Sequence, residues 1–216
     1  MNFPGNLILL LSIDIVGSSA YKFAVSQQHG PLAWVRAYQD FYNTIPAIVR
    51  DSRRSKLALA PNRGLPNGST TTLQLWKSIG DQLIFFSEPR NSAQLEFDCQ
   101  GFLLALEQAN DRMMNQWGFA LHGAAWAFEE GDHNLRIELQ SGLSDVETSS
   151  AFDLIGPDID LGFRLVAEAA PGQLLVPLEM YSWLQNTHLT INLVGEASLK
   201  GIRLDPYPLL ELKSRL

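Results

Sequence analysis

Two aspartates sit in runs that otherwise read as buried strands. Leu7-Ile8-Leu9-Leu10-Leu11 leads into Ser12-Ile13-Asp14-Ile15-Val16-Gly17-Ser18-Ser19, and Lys77-Ser78-Ile79-Gly80-Asp81 opens into Gln82-Leu83-Ile84-Phe85-Phe86. A buried carboxylate is costly unless a partner charge or a metal compensates it. If the two strands are neighbours, both carboxylates reach one edge of a sheet. Their oxygens, with phosphate oxygens and water, make the hard six-coordinate shell that Mg²⁺ or Mn²⁺ takes. The other reading is local: Asp14 caps a turn and Asp81 is a hairpin residue. Gly17-Ser18-Ser19 adds small residues whose backbone N–H groups are open to an anion, with a helix start just beyond them.

A second group lies further on. Gly156-Pro157 suits a helix start, which puts Asp160 and Arg164 at i and i+4 on one face. Such a pair is either a surface ion bridge, contributing roughly 0.3–0.5 kcal/mol, or a guanidinium free to face a polyphosphate. Local spacing does not separate the two. Lys77 and Lys200 read singly as solvated surface lysines. His122 has no second His at metal spacing and no adjacent nucleophile, so it reads as a strand residue with a satisfied hydrogen bond. Trp34, Trp76, Trp117, Trp126 and Trp183 suit core or interface positions.

The elements that must carry these residues follow from periodicity. Leu7–Val16 is a central strand covered on both faces. Leu32–Val49 has apolar residues at helical spacing, with Pro46 expected to bend or shorten it. Ala60–Ser69 is a loop, followed by a Thr70–Ile79 strand, a Gly80-Asp81 turn and a Leu83–Ser87 strand. A helix spans Ser92–Trp117, then strands Phe119–Phe128 and Leu135–Leu139, and a polar loop over Ser141–Ser150. The helix after Gly156 ends near Pro171-Gly172. Strands at Gln173–Pro177, Leu189–Val194 and Pro208–Leu212 and a short helix at Leu178–Leu184 complete the chain. No repeat or long linker divides it, so residues 1–216 read as one α/β or α+β domain around a mainly antiparallel sheet.

Composition narrows the function classes. With 216 residues, 46% hydrophobic and 18% charged, the chain can bury a substantial core. Its net charge of −7 and single basic cluster (Arg50, Arg53, Arg54, Lys56, read as a solvated helix end or loop) argue against a nucleic-acid-coating protein. Cys99, the one cysteine, excludes an internal disulfide and reads as a small buried hydrophobe. The first apolar run is too short to span a bilayer and lacks signal-peptide features, so a soluble cytoplasmic protein is expected.

Taken in order, these segments resemble the catalytic domain of the class III nucleotide cyclases. Ser12–Ser19 is similar to the family's first metal-aspartate segment, and Lys77–Asp81 to that of its base-selecting lysine and second metal aspartate. Asp153-Leu154-Ile155-Gly156-Pro157-Asp158-Ile159-Asp160-Leu161-Gly162-Phe163-Arg164-Leu165 resembles the segment with a base contact, an asparagine and the transition-state arginine. Leu199-Lys200-Gly201-Ile202 resembles the late phosphate-lysine segment. The resemblance covers about Leu7 to Leu212. It implies a ferredoxin-like βαββαβ core and a head-to-tail homodimer with composite active sites at its interface. Asp14, Asp81 and the Ile15 carbonyl would hold two divalent cations, Mn²⁺ or Mg²⁺. Arg164 of a second copy would stabilise the transition state and Lys200 would bind outer phosphates. Gly17, Ser18 and Ser19 would meet the nucleoside triphosphate, and Lys77 and Asp153 fall at base-reading positions.

One residue departs from the pattern. The family's asparagine is Asp160 here, an acceptor-only anion that needs compensation from Arg164 or a metal; it bears on either the activity or the usual purine substrate. The bare domain and its Gly-Pro-x-Ile-Asp-x-Gly-Phe-Arg segment look most like the stand-alone bacterial pyrimidine cyclases of antiphage defence. Those make cyclic UMP or cyclic CMP for a separate effector. Lys77 stands where adenine-selecting enzymes have lysine, so an adenylate cyclase is the alternative within the same chemistry. A cyclase-homology domain without turnover is the alternative outside it.

Overall fold

β1 (Leu7–Ile15) is apolar on both faces, and both are covered. Its odd residues Leu7, Leu9, Leu11, Ile13 and Ile15 enter one core, while Ile8 and Leu10 enter another on the opposite face. Asp14 alone in this strand is not fully buried. The computed structural model describes residues 3, 5–59, 73–139, 152–185 and 187–214.

From β1 the chain passes through α1 (Ser18–His29) and α2 (Val35–Leu59) to β2 (Gln74–Ile79) and β3 (Gln82–Ser87). It returns through α3 (Ser92–Trp117) to β4 (Leu121–Glu129). A small hairpin, β5 (Leu135–Glu138) and β6 (Phe152–Ile155), then leads into α4 (Pro157–Glu168). β7 (Leu174–Val176), α5 (Met180–Leu184), β8 (Leu189–Ala197) and β9 (Tyr207–Ser214) finish the fold. The seven-stranded sheet has the order β2-β3-β1-β4-β7-β9-β8, and β5-β6 form a second sheet. Its β4-β1-β3-β2 half is antiparallel throughout, the strand order of a ferredoxin-like βαββαβ unit. The β4–β7 pair is parallel and the remaining pairs are antiparallel. This is the expected α+β class with a mainly antiparallel sheet.

Helices α2 and α3 cover one face, burying Phe41, Ile45, Val49, Phe102 and Leu106. α4 covers the other through Ile159, Leu165 and Val166. Pro46 neither ends nor shortens α2, which continues to Leu59. Proline removes one helical hydrogen bond, but the packed Phe41–Ile45–Val49 stripe outweighs that local loss. The basic cluster therefore belongs to a helix, and Arg53 is not solvated. Its Nε lies 2.7 Å from Asp98 Oδ1 on α3, and Asp98 Oδ2 accepts a 2.8 Å bond from Ser87. β6 was not expected from the sequence. The expected loops at 60–69 and 141–150, and residues 70–72 of the expected strand, lie outside the described residues.

One close approach fixes α4. A Cβ on Gly162 would meet the Trp126 ring at 2.1 Å, and Trp126 on β4 is wholly buried. Only glycine lets the helix lie this near the sheet, so Gly162→Ala should destabilise the fold by about 1–3 kcal/mol, measured by urea unfolding. Asp98→Ala should cost more, about 3–5 kcal/mol, because it leaves the Arg53 guanidinium without its buried partner.

Candidate active site

Strand register builds the first half of the site. Asp14 is paired with Gln82 on one side and with His122 on the other. Ile79 opposite Gln82 leaves Gly80-Asp81 as a two-residue turn, with Gly80 at φ 60. Asp81 therefore lies one step beyond the Asp14–Gln82 pair, at the same end of the sheet. The turn is tied down from α2, where the Tyr42 hydroxyl donates to the Gly80 carbonyl.

Electrostatics places the two carboxylates in one cluster. The Tyr38 and Tyr42 phenols of α2 are pushed up, first by burial and then by the negative charge of both Asp81 and Asp14. Burial opposes a charge on His122. Its approach to Asp14, its bond to the Ala169 carbonyl and the field of both aspartates nevertheless raise its pKa from the ordinary imidazole value. His122 Nε2 is 3.8 Å from Asp14 Oδ2 and Nδ1 is 2.5 Å from Ala169 O. The histidine has the satisfied hydrogen bond expected of it, but it also steadies a site carboxylate. The other Asp14 oxygen accepts a 2.8 Å bond from the Ile15 N–H.

Gly17 follows at φ 62, the left-handed conformation that glycine adopts without strain, and α1 begins at Ser18. The first-turn N–H groups of α1 thus open beside Asp14. Among the described residues, no group of three or more His, Cys, Asp or Glu is arranged to hold a metal. Two carboxylates with a backbone carbonyl form an all-oxygen donor set that leaves coordination positions to phosphate and water. That chemistry fits a hard divalent cation.

The second half is built elsewhere in the chain. Lys77 is no solvated lysine: its Nζ lies 2.6 Å from Asp153 Oδ1 and 3.9 Å from the Trp76 ring centre. Asp153 also accepts a 2.8 Å bond from the Leu154 N–H, and Trp76 Nε1 donates to the Phe152 carbonyl at 3.3 Å. β6 is thus the element that sets Asp153 against Lys77. On α4, Asp160 is exposed and Arg164 half-buried. They form no ion pair, so the surface-bridge reading falls. Arg164 Nε is buried without a hydrogen-bond partner, and its Nη2 is 3.8 Å from a Cβ built on Gly201. That brings Arg164 to the turn carrying the exposed Lys200. Among the described residues, no hydrogen bond or ion pair joins Asp14 or Asp81 to Asp160, Arg164 or Lys200.

The residues that sequence reasoning missed are His122 as a partner of Asp14, and Tyr38 and Tyr42. Both tyrosines belong to the apolar stripe of α2, where nothing in the spacing distinguishes a site-facing phenol from a core one.

No protein-family model and no curated protein sequence matches the chain, but solved structures do. It is similar to the adenylyl cyclase CyaB from P. aeruginosa, with a TM-score of 0.67 and 14% identity, covering 97% of this chain and 94% of that one. It is also similar to the guanylyl cyclase Cya2, with a TM-score of 0.62 and 12% identity over 98% and 94% of the two chains. An adenylate cyclase from Trypanosoma brucei, in its monomeric state, aligns with a TM-score of 0.53 and 15% identity over 99% and 91%. At these identities the likeness is one of fold. The chain has the fold of the class III nucleotide cyclase catalytic domains.

Proposed function

We propose that this protein is a nucleotidyl cyclase, converting a nucleoside triphosphate to a 3′,5′-cyclic nucleotide and pyrophosphate at sites shared between two copies. One observation carries the reading: the chain holds a carboxylate pair for cations and, unconnected to it, an arginine whose buried Nε has no partner. A second copy in head-to-tail arrangement would bring the two halves together. β2, which bears Lys77, and the β5–β6 hairpin, which bears Asp153, also expose Leu75, Ile79, Leu135, Ile137 and Ile155, apolar surface suited to such a contact.

Each residue then has a role. Asp14, Asp81 and the Ile15 carbonyl would hold two divalent cations, Mn²⁺ or Mg²⁺. When bound, these supply activation of the ribose 3′-hydroxyl and neutralisation of the triphosphate. The Gly17–Ser19 turn would present N–H groups to phosphate oxygens. Arg164 would lie against the charge developing on the transferred phosphoryl group, in a place it can reach without breaking an ion pair. Lys200 would hold the outer phosphates. Lys77 and Asp153 offer a donor beside an acceptor to a base edge. Asp160 would face the ribose, its charge offset by Arg164 or a cation.

For the substrate we propose UTP or CTP, supported by the Gly156–Arg164 segment and by Asp160. A cyclic pyrimidine nucleotide would then be a messenger for a separate effector in antiviral defence, a role supported by that resemblance alone. The Lys77–Asp153 pair admits a second reading, ATP, since an ammonium and a carboxylate match N1 and the 6-amino group of adenine. They match N3 and the 4-amino group of cytosine equally well. The intact Asp14, Asp81 and Arg164 count against a domain without turnover.

Incubation of the protein with ATP, GTP, CTP or UTP and Mn²⁺, with products identified by mass, tests the reading. A cyclic pyrimidine nucleotide is expected; cyclic AMP alone would transfer the assignment to the second reading, and no cyclic product from any nucleotide would contradict both. Asp81→Ala should lower turnover by at least about a hundredfold while leaving the melting temperature within a few degrees of the parent's.

A further inference from the structure

Lys22 lies on α1, the helix that starts just after Asp14, and rests on aromatic rings of which Tyr38 feels both site carboxylates. It lies one turn after Ser18 on α1, on the same face. Helical side chains lean back towards the N-terminus, so the Lys22 stem runs towards the first turn, where the N–H groups open. Its Nζ rests 4.7 Å from the Tyr38 ring centre and 5.5 Å from that of Trp34, and these two rings pack edge to face at 5.1 Å. No carboxylate forms an ion pair with it among the described residues, although the chain carries an excess of acidic groups.

Tyr38 supplies an independent pointer to a ligand. It is 6% exposed, and its hydroxyl is buried with no partner in full hydrogen-bond geometry. The Ser18 side chain acts on it as a hydrogen-bonding group outside that geometry, and Asp81, Tyr42 and Asp14 act on it by charge. The ring beneath Lys22 therefore reaches the α1 first turn and the carboxylate pair together. A buried donor left unsatisfied beside a glycine-led helix start marks an arrangement that an incoming anion completes.

We infer that Lys22 is a phosphate-binding residue of the carboxylate half-site, held in readiness on the Trp34 and Tyr38 rings until a polyphosphate reaches the α1 N-terminus. A cation over an aromatic face in partial contact with water is held weakly, whereas a charge-assisted bond to phosphate is strong, so transfer to the ligand is downhill. The inference rests on the nucleotide reading above. It adds a lysine from the subunit that carries Asp14 and Asp81 to Lys200, which would come from the other. The triphosphate would then be gripped by both copies.

Calorimetric titration of the full chain with inorganic tripolyphosphate and Mn²⁺ tests it. Lys22→Met, which keeps the apolar stem, should bind about tenfold more weakly, and Lys22→Arg should stay within about twofold of the parent. Neither should change the melting temperature of the ligand-free protein. In the cyclisation assay Lys22→Met should raise KM about tenfold and leave kcat nearly unchanged. Lys22→Gln, a second neutral variant, should repeat the loss. Parent-like tripolyphosphate affinity in Lys22→Met or Lys22→Gln would overturn the inference, as would a loss seen only in Lys22→Met together with a lowered melting temperature. Tripolyphosphate binding by the parent without any cyclic product would overturn the cyclase reading and leave Lys22 as a phosphate ligand. No tripolyphosphate binding by the parent would overturn the inference, while the products of the cyclisation assay decide the cyclase reading.

Discussion

Like charges repel, and the pairing of β1 with β3 holds two of them at one end of a sheet. Asp14 and Asp81 are close enough that both act on Tyr38, Tyr42 and His122. Nothing in a folding chain favours bringing two carboxylates together beside buried phenols, so the surrounding structure must impose it. β1 does so because all seven of its residues before Asp14 are buried, which leaves the strand no freedom to slip. The Gly80 turn does so because Tyr42 anchors it from α2, and His122 leans on Asp14 from the strand alongside. An arrangement that is unfavourable alone, yet fixed from three sides, is one that the proposed cations would relieve.

The other charges are organised in a complementary way. Arg164 stands on a helix pressed against Trp126 through Gly162, so its position follows from a close helix–sheet contact in the core on that face. It is not spent on Asp160, the anion one turn before it. Lys77 is held against Asp153 by the β5–β6 hairpin, whose aromatic Phe152 stacks on Trp76 with ring centres 6.3 Å apart. Carboxylates gather at the end of β1 and cations on α4 and the turn before β9, and among the described residues no hydrogen bond or ion pair joins the two sets. The proposed head-to-tail pairing would bring them together.

Much of this was legible in the residues because the governing constraints were local. The Ser92–Trp117 helix, the Gly80-Asp81 turn and the helix start at Pro157 follow from periodicity and turn chemistry, and the structure has them at those positions. Asp14 and Asp81 stood out because a carboxylate in an apolar run is rare. Other features depended on partners distant in sequence. Arg53 reads as a solvated cation until Asp98, on another helix, is placed beside it. Lys77 reads as a surface lysine until β6 brings Asp153 to it, and β6 is a four-residue strand with no strong pattern of its own. Pro46 does not shorten α2, because the propensity rule describes an isolated helix, whereas α2 is fixed by its packed face. Tyr38 was hidden because a phenol facing the carboxylates obeys the same spacing as a core one.

The central claim is that each site takes its carboxylates from one copy and its arginine from the other. Mixing two inactive variants, Asp14→Asn and Arg164→Ala, measures this directly. If the claim holds, heterodimers contain one fully intact site, and the mixture recovers about a quarter of the parent's cyclase rate at equal total protein. A mixture that stays as inactive as its components, while light scattering shows that the two chains do pair, would mean that each copy builds its site alone and would contradict the account.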